Sequence, residues 1–179
     1  MNIDDAKKHM KQTIEFLKEE YAAIRTGRAN SGLFEKILVD YYGTPTQLKS
    51  LATINVADAK SIVITPFDKS AVANVEKAIR DSELGVNPNN DGGILRVNLP
   101  ELTEERRGEY VKLAKQKAEE ARVSVRNIRR GKKQEAEKDD SLSEDDVRHI
   151  EKLLDEATHT ATEEIDKILE QKTSDLLEV

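Results

Sequence analysis

The sequence predicts an α+β protein in which an elongated three-helix bundle carries a small inserted β/α/β unit. Three observations carry that expectation. Apolar residues recur with helical spacing near both ends of the chain, while residues 33–102 follow a strand-and-turn grammar. Charged residues make up 36% and aromatics 4%, with no Trp and no Cys, too polar a mix for a thick core. Long helices that bury narrow stripes reconcile such polarity with order.

The first helix is expected over roughly residues 2–29. Ile3, Ala6, Met10, Ile14, Leu17, Tyr21 and Ile24 step by threes and fours along one face. Gly27 and the Ala-Asn-Ser-Gly run at 29–32 then break the pattern.

The insert is expected over 30–103. Strand candidates are 34–42, closed by the turn signal Gly43-Thr44-Pro45, then 51–56, 61–67 and 94–99. One helical pattern lies between them at 70–84, with Val72, Val75, Ala78 and Ile79 on one side and Gly85 placed to end it. Residues 87–93 are a loop by composition.

Pro100 closes the insert, and Thr103 is placed to cap a second long helix with Glu104 and Glu105 in its first turn. Val111, Ala114, Ala118, Ala121, Val125 and Ile128 form heptads of mostly small residues, suited to close packing. A third helix is expected from Ser143, with Leu142 and Val147 at the spacing of a hydrophobic staple. Its stripe runs through Ile150, Leu154, Ala157, Ala161, Ile165 and Ile168, and residues 131–142 form the hairpin tip. Three stripes bury one another in a bundle of residues 1–29 and 104–179. Two short linkers join it to the insert, at Asn30, Ser31 and Gly32 and at Pro100, Leu102 and Thr103; such a pair predicts a hinge.

Net charge is −6, but residues 104–134 carry +6 and residues 135–179 carry −11. Arg122, Arg126, Arg129, Arg130, Lys132 and Lys133 follow one another with no acid between Ala121 and Gln134. On the heptad they form a ribbon beside the apolar seam, which Lys112 and Lys115 extend. Guanidinium forks meet phosphate oxygens with two hydrogen bonds, so the ribbon suits an RNA backbone, read by shape and phosphate and not by sequence. The alternative is a solvated face paired to the acids of the last helix, whose residues 139–146 the hairpin brings close. Residue chemistry alone leaves both readings open. Arg25 and Arg28 read more readily as caps on the last carbonyls of the first helix.

Catalytic and metal chemistry find little support. Without Cys there is no disulfide, thiolate nucleophile or Cys-ligated metal. The run Asn87-Pro88-Asn89-Asn90-Asp91-Gly92 echoes a calcium loop but opens with Asn and has Asn98 at the twelfth position. His9, His149 and His159 are scattered. No nucleophile elbow or phosphate loop is present. No apolar run approaches the ~18 residues of a membrane span, and the N-terminal residues lack a signal core. The expectation is a cytoplasmic, non-enzymatic docking protein with no cofactor, no bound metal and no membrane partner.

Five motifs narrow this further: Ile24-Arg25-Thr26-Gly27-Arg28-Ala29, Tyr41-Tyr42-Gly43-Thr44-Pro45, Leu84-Gly85-Val86-Asn87-Pro88, Leu102-Thr103-Glu104-Glu105-Arg106-Arg107 and Val123-Ser124-Val125-Arg126-Asn127-Ile128-Arg129-Arg130. In order and spacing the chain resembles the bacterial ribosome recycling factor family over essentially its whole length. The resemblance implies an L-shaped, tRNA-like monomer, with the bundle as domain I and the insert as domain II. It implies a translation factor that splits post-termination ribosomes into subunits with elongation factor G and GTP. Domain I would lie across the tRNA sites of the large subunit on 23S rRNA. By motif, Arg129 matches the arginine on which that binding most depends. Arg122, Arg126, Arg130 and Lys133 share its surface, and Arg28 matches the first-helix arginine near RNA. The chain departs from the family at a short tip and at Gly131, where about 1 kcal/mol of lost helix propensity predicts fraying. The competing class is a helical adaptor or chaperone that binds protein partners.

Overall fold

The computed structural model describes residues 2–178. In chain order the elements are α1 (Asp4–Ala22), α2 (Gly32–Glu35), β1 (Leu38–Tyr41), β2 (Thr44–Gln47), β3 (Ala52–Asp58), β4 (Ser61–Pro66), α3 (Val72–Arg80), β5 (Asn89–Asp91), β6 (Ile94–Asn98), α4 (Glu104–Glu137) and α5 (Glu144–Leu177). Tertiary contacts divide the chain into two compact units: Met1–Tyr21 with Glu109–Leu177, and Ala22–Gly108 with Glu178–Val179. The α+β class, with long helices and a separate small sheet unit, is as the sequence predicts.

In the first unit α1, α4 and α5 pack lengthwise, and each start is capped by the side chain the sequence provides. Asn2 Oδ1 accepts from Asp4 N at 3.0 Å, and Thr103 Oγ1 accepts from Arg106 N at 3.1 Å. At α5 the capping is reciprocal: Ser143 Oγ accepts from Asp146 N at 3.1 Å and Asp146 Oδ2 accepts from Ser143 N at 2.9 Å. Ile3, just before α1, and Ala6 of α1 cluster with Ala136 near the end of α4 and with Ile150 and Leu154 near the start of α5. At the other end the Tyr21 hydroxyl donates to the Ala114 carbonyl at 2.5 Å. Helix α4 therefore runs antiparallel to both neighbours. It contributes the small buried residues Ala114, Ala118 and Ala121 to the seam, while α1 and α5 contribute Leu17, Leu154 and Ile165.

Three expectations are corrected here. Helix α1 stops at Ala22, not near residue 29. Beyond it, Asn30 Nδ2 donates to the Ala22 carbonyl at 3.2 Å, Asn30 Oδ1 accepts from Gly32 N, and Ala29 N bonds the Ala59 carbonyl; these bonds hold the chain out of helical geometry. The contact division accordingly falls at Tyr21/Ala22 and Gly108/Glu109, not at 29/30 and 103/104, and Asn30, Ser31, Gly32, Pro100, Leu102 and Thr103 all lie in the second unit. Nor does α4 fray at Gly131; it continues to Glu137. The buried Ala136 in its last turn anchors the helix beyond the glycine.

In the second unit β3, β4, β6 and β5 form one antiparallel sheet in that order, and β1 and β2 form a separate hairpin. Strand alternation supplies the core: Leu95 and Val97 of β6 point inward while Ile94, Arg96 and Asn98 point out. They meet Ile62 and Ile64 of β4, Val75 and Ile79 of α3, Phe34 of α2 and Val39 of β1. The hairpin turns on Tyr42 and Gly43, at φ 50° and 81°, the two positive angles of a two-residue type I′ turn.

Several insert boundaries also differ from expectation. Residues 34–42 are not one strand, because Leu33 N and Phe34 N bond back to the Asn30 and Ser31 carbonyls and bury Phe34 on a helical turn. Helix α3 is shorter than 70–84, ending where the Ser82 hydroxyl takes the Ile79 carbonyl at 2.6 Å. The expected loop 87–93 holds strand β5, whose hairpin is pinned by Asn90 Oδ1 accepting from Gly93 N.

Candidate nucleic-acid interface

Arg122, Arg126, Arg129, Arg130 and Lys133 all lie on α4, but packing against α5 divides the expected ribbon into two rows. At 100° per residue Arg122, Arg129 and Lys133 fall within about 40° of one another, with Arg126 about 20° and Arg130 about 60° beyond Lys133. The first three pair with acids of α5. Arg122 Nη2 lies 2.6 Å and Nε 3.1 Å from Asp166 Oδ1. Arg129 Nε lies 2.6 Å from Asp155 Oδ1, and Lys133 Nζ 2.7 Å from Glu151 Oε1. These three rungs tie α4 to α5. Hydrogen bonding to Asp166 raises the Arg122 pKa, with burial opposing it. The bond to Glu151 raises that of Lys133 in the same way.

The second row turns outward. Arg126 is 55% exposed and, among the described residues, forms its ion pair with the equally exposed Glu119, at 3.3 Å. Glu119 also receives Arg122 Nη1 at 3.1 Å, so one carboxylate serves two arginines. Arg130 is exposed, and among the described residues no ion pair reaches it. Lys112 and Lys115, nearer the start of α4, are exposed as well. Lys132 leaves the ribbon: its side chain is 15% exposed and bonds Glu135 at 3.0 Å.

Arg28 is placed in the other compact unit, with Nη2 3.4 Å from Glu178 Oε1 and its side chain 75% exposed. Arg25 is buried at 7% exposure. Helix α1 ends at Ala22, before both.

Arg122, Arg129 and Lys133 therefore follow the pairing reading, while Arg126 and Arg130 stay exposed to solvent. The internal pairing is to acids of the last helix, as the pairing alternative held, but through Glu151, Asp155 and Asp166 and not through residues 139–146 near the tip. The sequence did not single these three out. Their signal was spacing: steps of four and eleven keep all three on one helical face.

Among the described residues no group of three or more His, Asp or Glu is arranged to hold a metal ion. No helix among the described residues is long and apolar enough to cross a membrane. A concavity of about 600 Å³ is an open groove between α1 and α5 floored by Met10, Ile14, Leu153, Ala157 and Ala161. Lys7, Lys11 and Lys18 edge it on one side, and Glu156 and Glu164 on the other.

Fold and face together define an α+β protein organised around a long helix with a cationic outer row. Comparison with known proteins gives the family: the family model described as ribosome recycling factor matches residues 17–177. The ribosome-recycling factor of Cutibacterium acnes is 55% identical over 182 residues, covering 99% of this chain and 98% of that one. That of Acidothermus cellulolyticus is 54% identical over 178 residues, covering 98% and 96%. A solution structure of a ribosome recycling factor superposes with a TM-score of 0.76 at 43% identity over 99% of this chain and 96% of that one. The T. thermophilus ribosome recycling factor, described with E. coli elongation factor G bound to the E. coli post-termination complex, matches with a TM-score of 0.65 at 39% identity, covering 98% and 96%. This chain belongs to the ribosome recycling factor family.

Proposed function

We propose that this chain, acting with elongation factor G and GTP, splits post-termination ribosomes into subunits by docking α4 on large-subunit 23S rRNA across the tRNA sites. The support is the outward cation row: Arg126 and Arg130, with Lys112 and Lys115, present charge to solvent at helical intervals. Such a row tracks a phosphate backbone without reading bases. Arg122, Arg129 and Lys133 join the contact by exchanging or sharing their carboxylate partners, and Arg28 adds a contact from the second unit. The related factor described with elongation factor G on a post-termination complex favours the same partners here.

In this reading the bundle is a strut, the second unit is the part the GTPase engages, and Asn30, Ser31, Gly32, Pro100, Leu102 and Thr103 form the hinge. The chain acts as a monomer in the cytoplasm and contributes no bond-breaking chemistry; the energy comes from GTP hydrolysed by its partner. The test is subunit release from post-termination ribosomes with and without the chain, elongation factor G and GTP. Release that requires all three is expected; unchanged release without the chain defeats the proposal.

The groove between α1 and α5 favours a second reading, a helical adaptor that binds an amphipathic segment on its apolar floor. That reading predicts peptide binding with little salt dependence. Ribosome docking predicts binding that weakens steeply with salt, each neutralised phosphate on duplex-like RNA adding about −0.9 to the log–log slope.

A further inference from the structure

The cations on the α5-facing side of α4 are not idle. Arg122 turns Nε and Nη2, one edge of its guanidinium, onto a single oxygen of Asp166. Arg129 gives its Nε to Asp155, and Lys133 gives its ammonium to Glu151. These donors are the ones that would grip phosphate oxygens. The carboxylates are themselves accessible: the Asp155 and Asp166 side chains are 53% and 56% exposed and that of Glu151 is 36% exposed. They sit at the rim of the cation face, so a docking phosphate meets their charge as well as the arginines.

Building the bundle does not require this arrangement. Exposed ion pairs contribute little to stability, and the seam of apolar residues already fixes α4 against α5. The acids of α5 take Arg122, Arg129 and Lys133, while Arg126 turns to Glu119 on its own helix. The acidic residues of α5 therefore cover some cations of α4 and leave others open.

From this we infer that Asp155, Asp166 and Glu151 are an internal competitor for phosphate, a row of surrogate anions that limits how tightly α4 holds RNA and keeps docking reversible. The inference rests on the reading of α4 as the ribosomal RNA contact. Free, the carboxylates hold the three cations extended at the spacing of α4. On docking, each RNA phosphate must displace or share a carboxylate and is repelled by whatever charge remains. Arg126 and Arg130 make first contact, and the covered row sets the dwell time. A factor that must leave the ribosome after every round needs such a ceiling on affinity.

Neutralising the competitor without removing the cations tests this. Asp155→Asn and Asp166→Asn keep the size of the side chain and remove its charge; the double variant combines them, and Asp155→Glu restores charge. Glu156→Gln is the charge-matched control, since Glu156 lies on the wall of the α1–α5 groove and pairs with none of the α4 cations. Affinity and dissociation rate are measured for purified large subunits over a salt series, with helicity recorded for each variant. Each single Asn variant is expected to bind about 2- to 5-fold tighter than Glu156→Gln and to leave correspondingly more slowly. The double variant should gain about the product, and Asp155→Glu should behave as the parent chain. If Asp155→Asn and Asp166→Asn bind no tighter than Glu156→Gln, or bind more weakly, the carboxylates are positioning groups or packing partners and the inference is overturned. If the parent chain itself does not bind large subunits, it is the docking proposal that fails. An Asn variant that loses helicity would assign its carboxylate a structural role and count equally against the inference.

Discussion

Arg129 reaches from α4 to place its Nε 2.6 Å from Asp155 Oδ1 on α5, with the arginine side chain 34% exposed. It is the most accessible arginine of the covered row, since Arg122 is only 20% exposed. Arg129→Ala should weaken large-subunit binding by about tenfold, the scale of one charge-assisted hydrogen bond. It should also reduce the log–log salt slope by about 0.9. Co-sedimentation over a salt series measures both. Helicity should be unchanged, because the buried seam of Ala118, Ala121 and Val125, not this side chain, holds α4 in the bundle.

Gly131 offers the opposite experiment. It sits inside α4, a Cβ built on it meets nothing within 4 Å, and the helix runs on past it to Glu137. Gly131→Ala should therefore stabilise the protein by about 0.5–1 kcal/mol, from helix propensity and a less free unfolded chain. Thermal or urea unfolding checks this; a loss of stability would mean that the glycine has a local role.

Gly32 behaves differently because its space is taken. A Cβ there would stand 3.0 Å from both the Cβ and the carbonyl oxygen of Ala22. Gly32→Ala should destabilise by about 1–3 kcal/mol, the range for forcing a methyl into a filled site. The same unfolding measurement, run beside Gly131→Ala, should give shifts of opposite sign.

Tyr21 carries an alkaline signature. Burial pushes its hydroxyl pKa up to about 12 from 10.0, with Arg122 pulling the other way. A raised folded-state pKa means that folding holds the proton, so this contribution is complete below pH 10 and is lost as pH rises toward 12. Tyr21→Phe should cost about 1 kcal/mol at neutral pH through the lost bond to the Ala114 carbonyl. It should also flatten the fall in stability between pH 10 and 12, as urea unfolding at a series of pH values would reveal.

The α5 capping box gives an acid signature. Bonds from the Ser143 backbone and hydroxyl hold the Asp146 pKa below its ordinary 3.8. A lowered folded-state pKa contributes stability above the ordinary value and loses it as pH falls through the folded one. Ser143→Ala should cost about 1 kcal/mol at neutral pH, and the cost should shrink in strong acid as Asp146 protonates. Parallel melts at pH 7 and pH 2 measure the difference.

Much of this architecture is legible from spacing alone. The stripes of α1, α4 and α5 place Met10, Ala118 and Ile165 in the seam because apolar periodicity reports burial directly. What escaped depends on contacts distant in sequence or on short polar segments. Strand β2, Thr44–Gln47, contains a proline and no apolar residue, so only pairing with β1 makes it a strand. The end of α1 is set by Asn30 and Gly32 reaching back to Ala22, which no local rule about Ala23 or Ile24 anticipates. At the candidate interface the run of cations is plain in the sequence, but its division into covered and open rows is not. That division needs the rotation of α4 against α5, which the sequence specifies only through the seam that borders the cations.

The hairpin of α4 and α5 has a bearing on how its length can vary. Arg129 with Asp155, and Lys133 with Glu151, are rungs four residues apart on both helices, counted in opposite directions from the turn. Residues added or lost at the tip between Glu137 and Glu144 change where the arms end but leave each rung facing its partner. A single residue deleted between Arg122 and Arg129 instead rotates everything beyond it by about 100° and mismatches the rungs past that point. The turn is thus the place where the chain tolerates editing, and the inner half of α4 is where its reading frame of charge is fixed.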